Sequence, residues 1–190
     1  MMKQIIIFGD SLTQGYGLND PDTASFPALI QRMIDQTSLA FRVINAGISG
    51  DTTYSAKNRL SGILEMQIDI FVLELGANDF IRGQSAQSVE QNLQSIIDQV
   101  KQRHPNAPIL LLGMELPAWI PGTKAAGYRN IYQRLAVKNN IALLPFLLKG
   151  VVGIPHLNMF DGIHPLAAGY EIIARNVWKA LKVLIDEVNK

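Results

Sequence analysis

Five short apolar runs recur along the chain, and each is followed by turn residues and then by a segment with helical periodicity. The runs cover residues 4–8, 42–45, 70–75, 108–114 and 141–144. They are rich in Ile, Leu and Val and mostly continuous rather than alternating, which is typical of strands buried on both faces. The pattern therefore predicts five strands of a parallel sheet.

The helical segments follow these strands, at residues 24–36, 54–66, 88–103, 128–139 and 166–188. His104-Pro105 ends the third segment, and Pro165 suits the first turn of the last one. This alternation predicts an α/β fold with helices on both faces of the sheet, in which ligands bind beyond the carboxyl ends of the strands. No repeat, linker or low-complexity tract interrupts residues 1–190, so we expect a single domain.

Composition narrows the functional classes. The chain has 190 residues, 48% hydrophobic content, a formal net charge of +1 and no cysteine. The absence of cysteine excludes disulfides, thiolate metal sites and a cysteine nucleophile. Acidic and basic residues are mixed without a basic stripe, so we expect no nucleic-acid partner.

Apolar segments also bear on location. The longest, at residues 109–113 and 141–148, fall far short of a membrane span, so no stable membrane insertion is expected. The apolar run at residues 5–8 is too short for the core of a signal peptide and fits a first strand better. As written, the chain is expected to be cytoplasmic. The alternative is a periplasmic or secreted protein whose leader was removed.

Ser11 follows the first predicted strand, in the segment FGDSL. A hydroxyl at the rim of the sheet is a candidate nucleophile, but a serine after a strand is also commonly a helix cap or turn former. The pattern G-x-S-x-G does not occur in the chain, so the nucleophile elbow of the α/β-hydrolases is excluded.

Asp161 and His164 lie three residues apart in the segment FDGIHP. Gly162 permits a tight turn, which would bring the carboxylate to one imidazole nitrogen and leave the other free to act as a base. The competing interpretation is a turn followed by a histidine that caps a helix. The other histidines have simpler interpretations, His104 as a helix-end charge and His156 as a loop residue.

Gly50 and Asn78 follow the second and third predicted strands, in NAGISGDT and ELGANDF. The Gly50 amide, the Asn78 side-chain amide and the Ser11 amide together could form an oxyanion hole. A loop glycine and an Asn-Asp turn are the alternatives. Each segment alone is a weak signal, but the four in this order predict an acyl-transfer site.

In these four segments, and along nearly its whole length, the chain resembles the GDSL or SGNH hydrolases. FGDSLTQGYG resembles the nucleophile block of that family, and Gly50, Asn78 and DGIHP fall in the order of its remaining blocks. The resemblance is strongest to the bacterial multifunctional acyl thioesterase/lysophospholipase and its arylesterase relatives. It implies a flavodoxin-like three-layer α/β/α fold, no metal or organic cofactor, and hydrolysis of acyl esters or thioesters by a triad that Asp161 completes.

The sequence indicates the residues that contact substrate less specifically than it indicates the catalytic residues. The segments 116–127 and 146–160 correspond to loops that line the acyl groove in the family, which makes Trp119, Ile120 and Phe146 candidate substrate-binding residues. Packing of these aromatic and apolar side chains against the core is the alternative. We expect a small-molecule acyl ester or thioester as the substrate, and the sequence leaves the oligomeric state open.

The sequence is also compatible with two other functions. One is a carbohydrate O-deacetylase of the same family. The other is a flavodoxin-like module that binds a phosphate-bearing ligand, although the chain contains neither a Walker A motif nor G-x-G-x-x-G.

Overall fold

The computed structural model describes residues 2–114, 127, 128 and 130–190, and in them the chain forms a five-stranded parallel sheet. The strands are β1 (Lys3–Gly9), β2 (Phe41–Gly47), β3 (Ile70–Glu74), β4 (Ile109–Leu112) and β5 (Ala142–Leu144). Their order in the sheet is β2-β1-β3-β4-β5, and every neighbouring pair is parallel. This is the flavodoxin-like order, in which the chain reverses direction across the sheet between β1 and β3.

Helices cover both faces of the sheet. In chain order they are α1 (Ser11–Gln14), α2 (Pro21–Ala24), α3 (Phe26–Asp35), α4 (Thr53–Leu64), α5 (Ala77–Ile81), α6 (Ala86–Arg103), α7 (Ile131–Asn139) and α8 (Ala167–Val188), with a 3₁₀ turn at Pro155–Leu157. In the part of the chain that the structure describes, none of these helices combines the length and hydropathy that crossing a bilayer requires.

Alternation along the strands divides the core into two layers. Odd-numbered residues of β1 pack with α3 and α8 in one layer, and even-numbered residues pack with α4, α6 and α7 in the other. Both faces of the three central strands are therefore buried, which explains their continuous apolar runs. The predicted α/β fold with a five-stranded parallel sheet is confirmed.

Several element boundaries differ from those expected. The segment predicted as one helix at residues 24–36 is divided at Ser25, because Pro27 suits a new first turn. Pro165 precedes the last helix, which begins at Ala167, and instead bridges to Asn158. The short helices α1 and α5 were not predicted, since four or five residues are too few to show a helical period.

Gly9 lies where the end of β1 passes under α1. A Cβ atom on Gly9 would lie 2.1 Å from Thr13 Oγ1, 2.5 Å from Glu74 Oε2 and 2.8 Å from the Glu74 carbonyl oxygen. Only glycine leaves room for the Glu74 side chain to cross beneath α1 at this point. The packing of the nucleophile turn onto the sheet therefore depends on Gly9.

We predict that Gly9→Ala destabilises the protein by about 1–3 kcal/mol, the usual cost of overpacking a tight site. Gly62→Ala is the matched control, because Gly62 is exposed inside α4 and its Cβ would meet nothing within 4 Å. That control should gain about 0.5–1 kcal/mol from helix propensity. Urea unfolding of both variants measures the difference, and equal stabilities would show that Gly9 has room for a side chain.

Candidate active site

Ser11, His164 and Asp161 form a continuous hydrogen-bonded relay at the carboxyl end of the sheet. Ser11 Oγ lies 2.9 Å from His164 Nε2, and His164 Nδ1 lies 2.6 Å from Asp161 Oδ2. A carboxylate can only accept, so Nδ1 carries the hydrogen and Nε2 is left to accept the serine proton. The geometry is that of a hydroxyl nucleophile with an oriented base.

The turn at residues 161–164 holds the acid and the base together. Asp161 Oδ1 accepts hydrogen bonds from the amides of Ile163 and His164, at 2.9 and 3.0 Å. Gly162 adopts φ of +69°, a left-handed conformation that lets the chain fold back over so few residues. Partial burial alone would raise the pKa of Asp161, but the hydrogen bonds from the His164 side chain, the His164 amide and the Ile163 amide lower it to about 2.

Tyr16 covers the other side of the imidazole. Its ring centroid lies 4.7 Å from that of His164 at an interplanar angle of 51°. Tyr16 remains half exposed, so it forms an apolar wall between the base and solvent.

The amides of Ser11 and Gly50 are free to act as donors. Neither is hydrogen-bonded to an acceptor in the described part of the chain. Ser11 begins α1, where the first amides have no partner within the helix, and Gly50 occupies a turn with φ of +82°. Both amides follow neighbouring strands of the sheet, β1 and β2.

Asn78 lies in α5, just beyond the end of β3. Its Nδ2 atom donates to Asp10 Oδ2 at 3.1 Å and to the Asp51 carbonyl at 3.0 Å, so both amide hydrogens have partners in this conformation. To stabilise an oxyanion, Asn78 must share or redirect one of these hydrogens. The structure thus brings Asn78 to the site together with a competitor for its amide.

An ion pair anchors the Gly50 turn. Arg59 Nε donates to Asp51 Oδ2 at 2.6 Å, and its Nη2 donates to the carbonyls of Gly9 and Ala46 at 3.0 Å. Its guanidinium also lies 4.0 Å from the centroid of the Phe8 ring. One side chain therefore ties the turn after β2 to the ends of β1 and β2.

The structure describes one of the three candidate substrate-binding residues. Trp119 and Ile120 lie outside the described residues. Phe146 is half buried, packs against the layer formed with α3 and α8, and bridges to Met114. Its role in substrate binding stays a prediction. Within the described residues no group of three or more His, Asp or Glu side chains could hold a metal ion.

Four further residues belong to the site although their chemistry was not anticipated. They are Asp10, Tyr16, Arg59 and Glu74. A signal for Glu74 was present, because a charged residue interrupts the end of an apolar run that must be buried. The partners of Arg59 lie 8, 13 and 50 residues from it in sequence and outside its helix, so no helical or strand period would have indicated them.

The chain is similar to known proteins along most of its length. Residues 7–172 match the model of the GDSL-like Lipase/Acylhydrolase family. The chain is 35% identical to esterase TesA of Pseudomonas aeruginosa, covering 96% of this chain and 90% of that protein. It is 36% identical to thioesterase 1/protease 1/lysophospholipase L1 of Escherichia coli K12, covering 96% and 85%. A crystal structure of TesA superposes with a TM-score of 0.89 at 34% identity, covering 96% and 99%.

The chain belongs to the GDSL-like lipase/acylhydrolase family. This confirms the resemblance inferred from FGDSL and the segments that follow it. The close superposition on TesA also confirms the fold that the resemblance implied.

We predict that Asp161 contributes stability that depends on pH. Because its pKa is lower in the folded chain than its unfolded value of about 3.9, that contribution is present above about pH 5 and is lost as the pH falls toward 2. The difference in unfolding free energy between wild type and Asp161→Asn should therefore shrink over this range. Urea titrations at a series of pH values measure it, and a difference that is constant from pH 7 to pH 2 would contradict the prediction.

Proposed function

We propose that the protein is a serine esterase that hydrolyses carboxylic esters or thioesters through an acyl-enzyme intermediate. The observation that carries the proposal is the relay from Ser11 Oγ through His164 to Asp161, with distances of 2.9 and 2.6 Å. Family membership supports the same reaction class, since the relatives are named esterase and thioesterase 1/protease 1/lysophospholipase L1.

In the first half-reaction, Ser11 Oγ attacks the carbonyl carbon while His164 Nε2 takes its proton. The hydrogen bond to Asp161 keeps the ring in the required tautomer and stabilises the imidazolium that forms. His164 then gives the proton to the leaving alkoxide or thiolate, and the acyl group remains on Ser11. Water attacks the acyl-enzyme in the second half-reaction, with His164 again serving as base and then as acid.

The tetrahedral oxyanion is held by the amides of Ser11 and Gly50 and by the side chain of Asn78. The two backbone donors are unoccupied and fixed in advance, so they need no rearrangement when charge develops. Asn78 contributes when one of its hydrogens turns from Asp10 or Asp51 toward the substrate oxygen.

Apolar side chains at the rim favour an acyl or aryl substrate over a sugar. Ile48, beside the Gly50 turn, and Ile81, at the end of α5, are about half exposed. Tyr16 and Ile163 flank His164 and are also partly exposed. Such side chains gain free energy when they contact an alkyl chain or aromatic ring.

We predict that Ser11→Ala abolishes turnover of p-nitrophenyl esters, with a loss on the order of 10⁴-fold or more. Covalent labelling by a fluorophosphonate should disappear with it, because labelling requires the activated serine. Ser49→Ala is the control, since Ser49 is an exposed serine in the neighbouring turn. Retention of more than a tenth of the activity, or of the label, would remove Ser11 as the nucleophile.

We predict that Asn78→Ala lowers kcat by roughly 10²–10³-fold with little change in KM, because the oxyanion exists only near the transition state. The alternative is that Asn78 only joins the turns that contain Asp10 and Asp51. That role predicts a lower melting temperature with kcat preserved. Measuring kcat, KM and melting temperature on the same preparation distinguishes the two.

A further inference from the structure

Two buried carboxyl groups lie directly behind the nucleophile, and the proposed relay uses neither. Asp10 precedes Ser11, Glu74 ends β3, and both side chains are fully buried. The Asp10 amide donates to Glu74 Oε2 at 3.1 Å, and the Thr13 hydroxyl donates to the same oxygen at 2.8 Å. Glu74 is therefore held beneath α1 by the turn that presents Ser11.

The two carboxyl groups also contact each other. The bond from the Asp10 amide to Glu74 Oε2 brings the two side chains together, and Glu74 Oε1 has no donor among the described residues. Two ionised carboxylates in contact in a dry site repel strongly, whereas a protonated carboxyl donates to an ionised one. The unpaired oxygen and the contact are both explained if the pair holds one proton.

Burial and the donors to each carboxyl together indicate which one holds the proton. Asp10 accepts the Leu12 amide on Oδ1 at 3.0 Å and the Asn78 side chain on Oδ2 at 3.1 Å. Glu74 receives the Asp10 amide and the Thr13 hydroxyl on one oxygen, and both donors favour its ionised form. Burial raises the pKa of Asp10 well above its usual range, and the adjacent Glu74 charge raises it further. Burial also raises the pKa of Glu74, but the donors oppose that rise.

The other ionisable groups around the pair do not reverse this assignment. Tyr132 of α7 and Tyr170 of α8 are buried, and burial together with the two carboxyls raises their pKa values, so both remain neutral. The Leu12 amide and, to a smaller extent, His164 favour a charge on Asp10, but burial and the Glu74 charge have larger effects in the opposite direction. Arg59 reaches the same strand end but is bound to Asp51 and to two carbonyls, and Asp79 is bound to Thr53.

We propose that Asp10 and Glu74 share a single proton, held on Asp10, and that neutral Asp10 is a positioning residue that leaves the Asn78 amide available to the oxyanion. The proposal rests on the serine esterase function proposed above. It extends that function to a residue pair that touches no substrate.

The physical reason lies in the bond between Asn78 Nδ2 and Asp10 Oδ2, 3.1 Å long. A charge-assisted hydrogen bond is roughly twice as strong as a neutral one, so an ionised Asp10 would hold that hydrogen against the substrate. An ionised Asp10 would also place a second negative charge behind the carbon where the oxyanion forms. Protonation removes both obstacles, and the single remaining charge is on Glu74, which is bound by the Asp10 amide and the Thr13 hydroxyl.

The test compares the pH dependence of kcat in wild type, Asp10→Asn and Glu74→Gln. In wild type, kcat should fall on the alkaline side as Asp10 loses its proton. In Asp10→Asn this fall should be absent. In Glu74→Gln it should move to lower pH, because the neighbouring charge that raises the Asp10 pKa is gone. An alkaline fall that persists at the same pH in both variants would overturn the proposal.

Leu93→Ala controls for lost stability alone, because it opens a cavity in the core layer on the opposite face of the sheet. It should lower the melting temperature and keep the wild-type pH profile. If the Leu93 variant shifts the alkaline fall as Glu74→Gln does, the shift reports stability and the proposal fails.

A direct readout needs no turnover. In protein labelled with ¹³C at the Asp carboxyls, the Asp10 signal is the one missing from Asp10→Asn, and its shift should show a protonated carboxyl at neutral pH. An Asp10 signal that titrates at its ordinary value would overturn the proton-sharing pair even if the enzyme is an esterase. Conversely, a protonated Asp10 in a protein that no fluorophosphonate labels would leave the pair intact and refute the esterase function.

Discussion

The side-chain amide of Asn78 joins the turns that follow β1, β2 and β3. Its two hydrogens reach Asp10 at the end of β1 and the carbonyl of Asp51 in the turn after β2, while Asn78 itself follows β3. Because these strands are neighbours in the order β2-β1-β3, their carboxyl ends lie along one edge. The sheet brings the turns close, and the hydrogen bonds of Asn78, together with those of Arg59 and Asp79, set their final spacing. That spacing decides whether the amides of Ser11 and Gly50 converge.

The region around this amide is unusually polar for a protein interior. Asp10, Thr13, Thr53, Glu74 and Asp79 are almost completely buried where the strands end. Most of their polar atoms have partners, as when Asp79 accepts both the amide and the hydroxyl of Thr53. Buried polar networks cost stability if any member is lost, but a complete network holds its groups rigidly. Such rigidity is what donors arranged for a transition state require.

The acid and base reach the same edge differently. Asp161 and His164 lie on a turn whose own hydrogen bonds orient the imidazole, and the Asn158 side chain holds the preceding segment through the carbonyls of Val151 and Ile154. The hydrogen bond between His164 and Ser11 joins this turn to the nucleophile, and Tyr16 packs beside the imidazole. The base can therefore exchange its proton with substrate while the two backbone oxyanion donors stay fixed at the edge of the sheet.

The sequence by itself determined the sheet, the helical layers and the family. The first two depend on local periodicity, and the family is indicated by short contiguous segments of the chain. It also predicted that Asp161 and His164 interact, since three residues around a glycine leave a carboxylate within reach of an imidazole. Only the tertiary structure decided what surrounds Ser11. Glu74 is 64 residues from Asp10 and Asn78 is 68 residues from it, and no local pattern encodes which buried groups will touch. Contacts between residues so far apart in sequence depend on the order of the strands and on the space that Gly9 leaves beneath α1. Strand order and this space exist only once the sheet has formed.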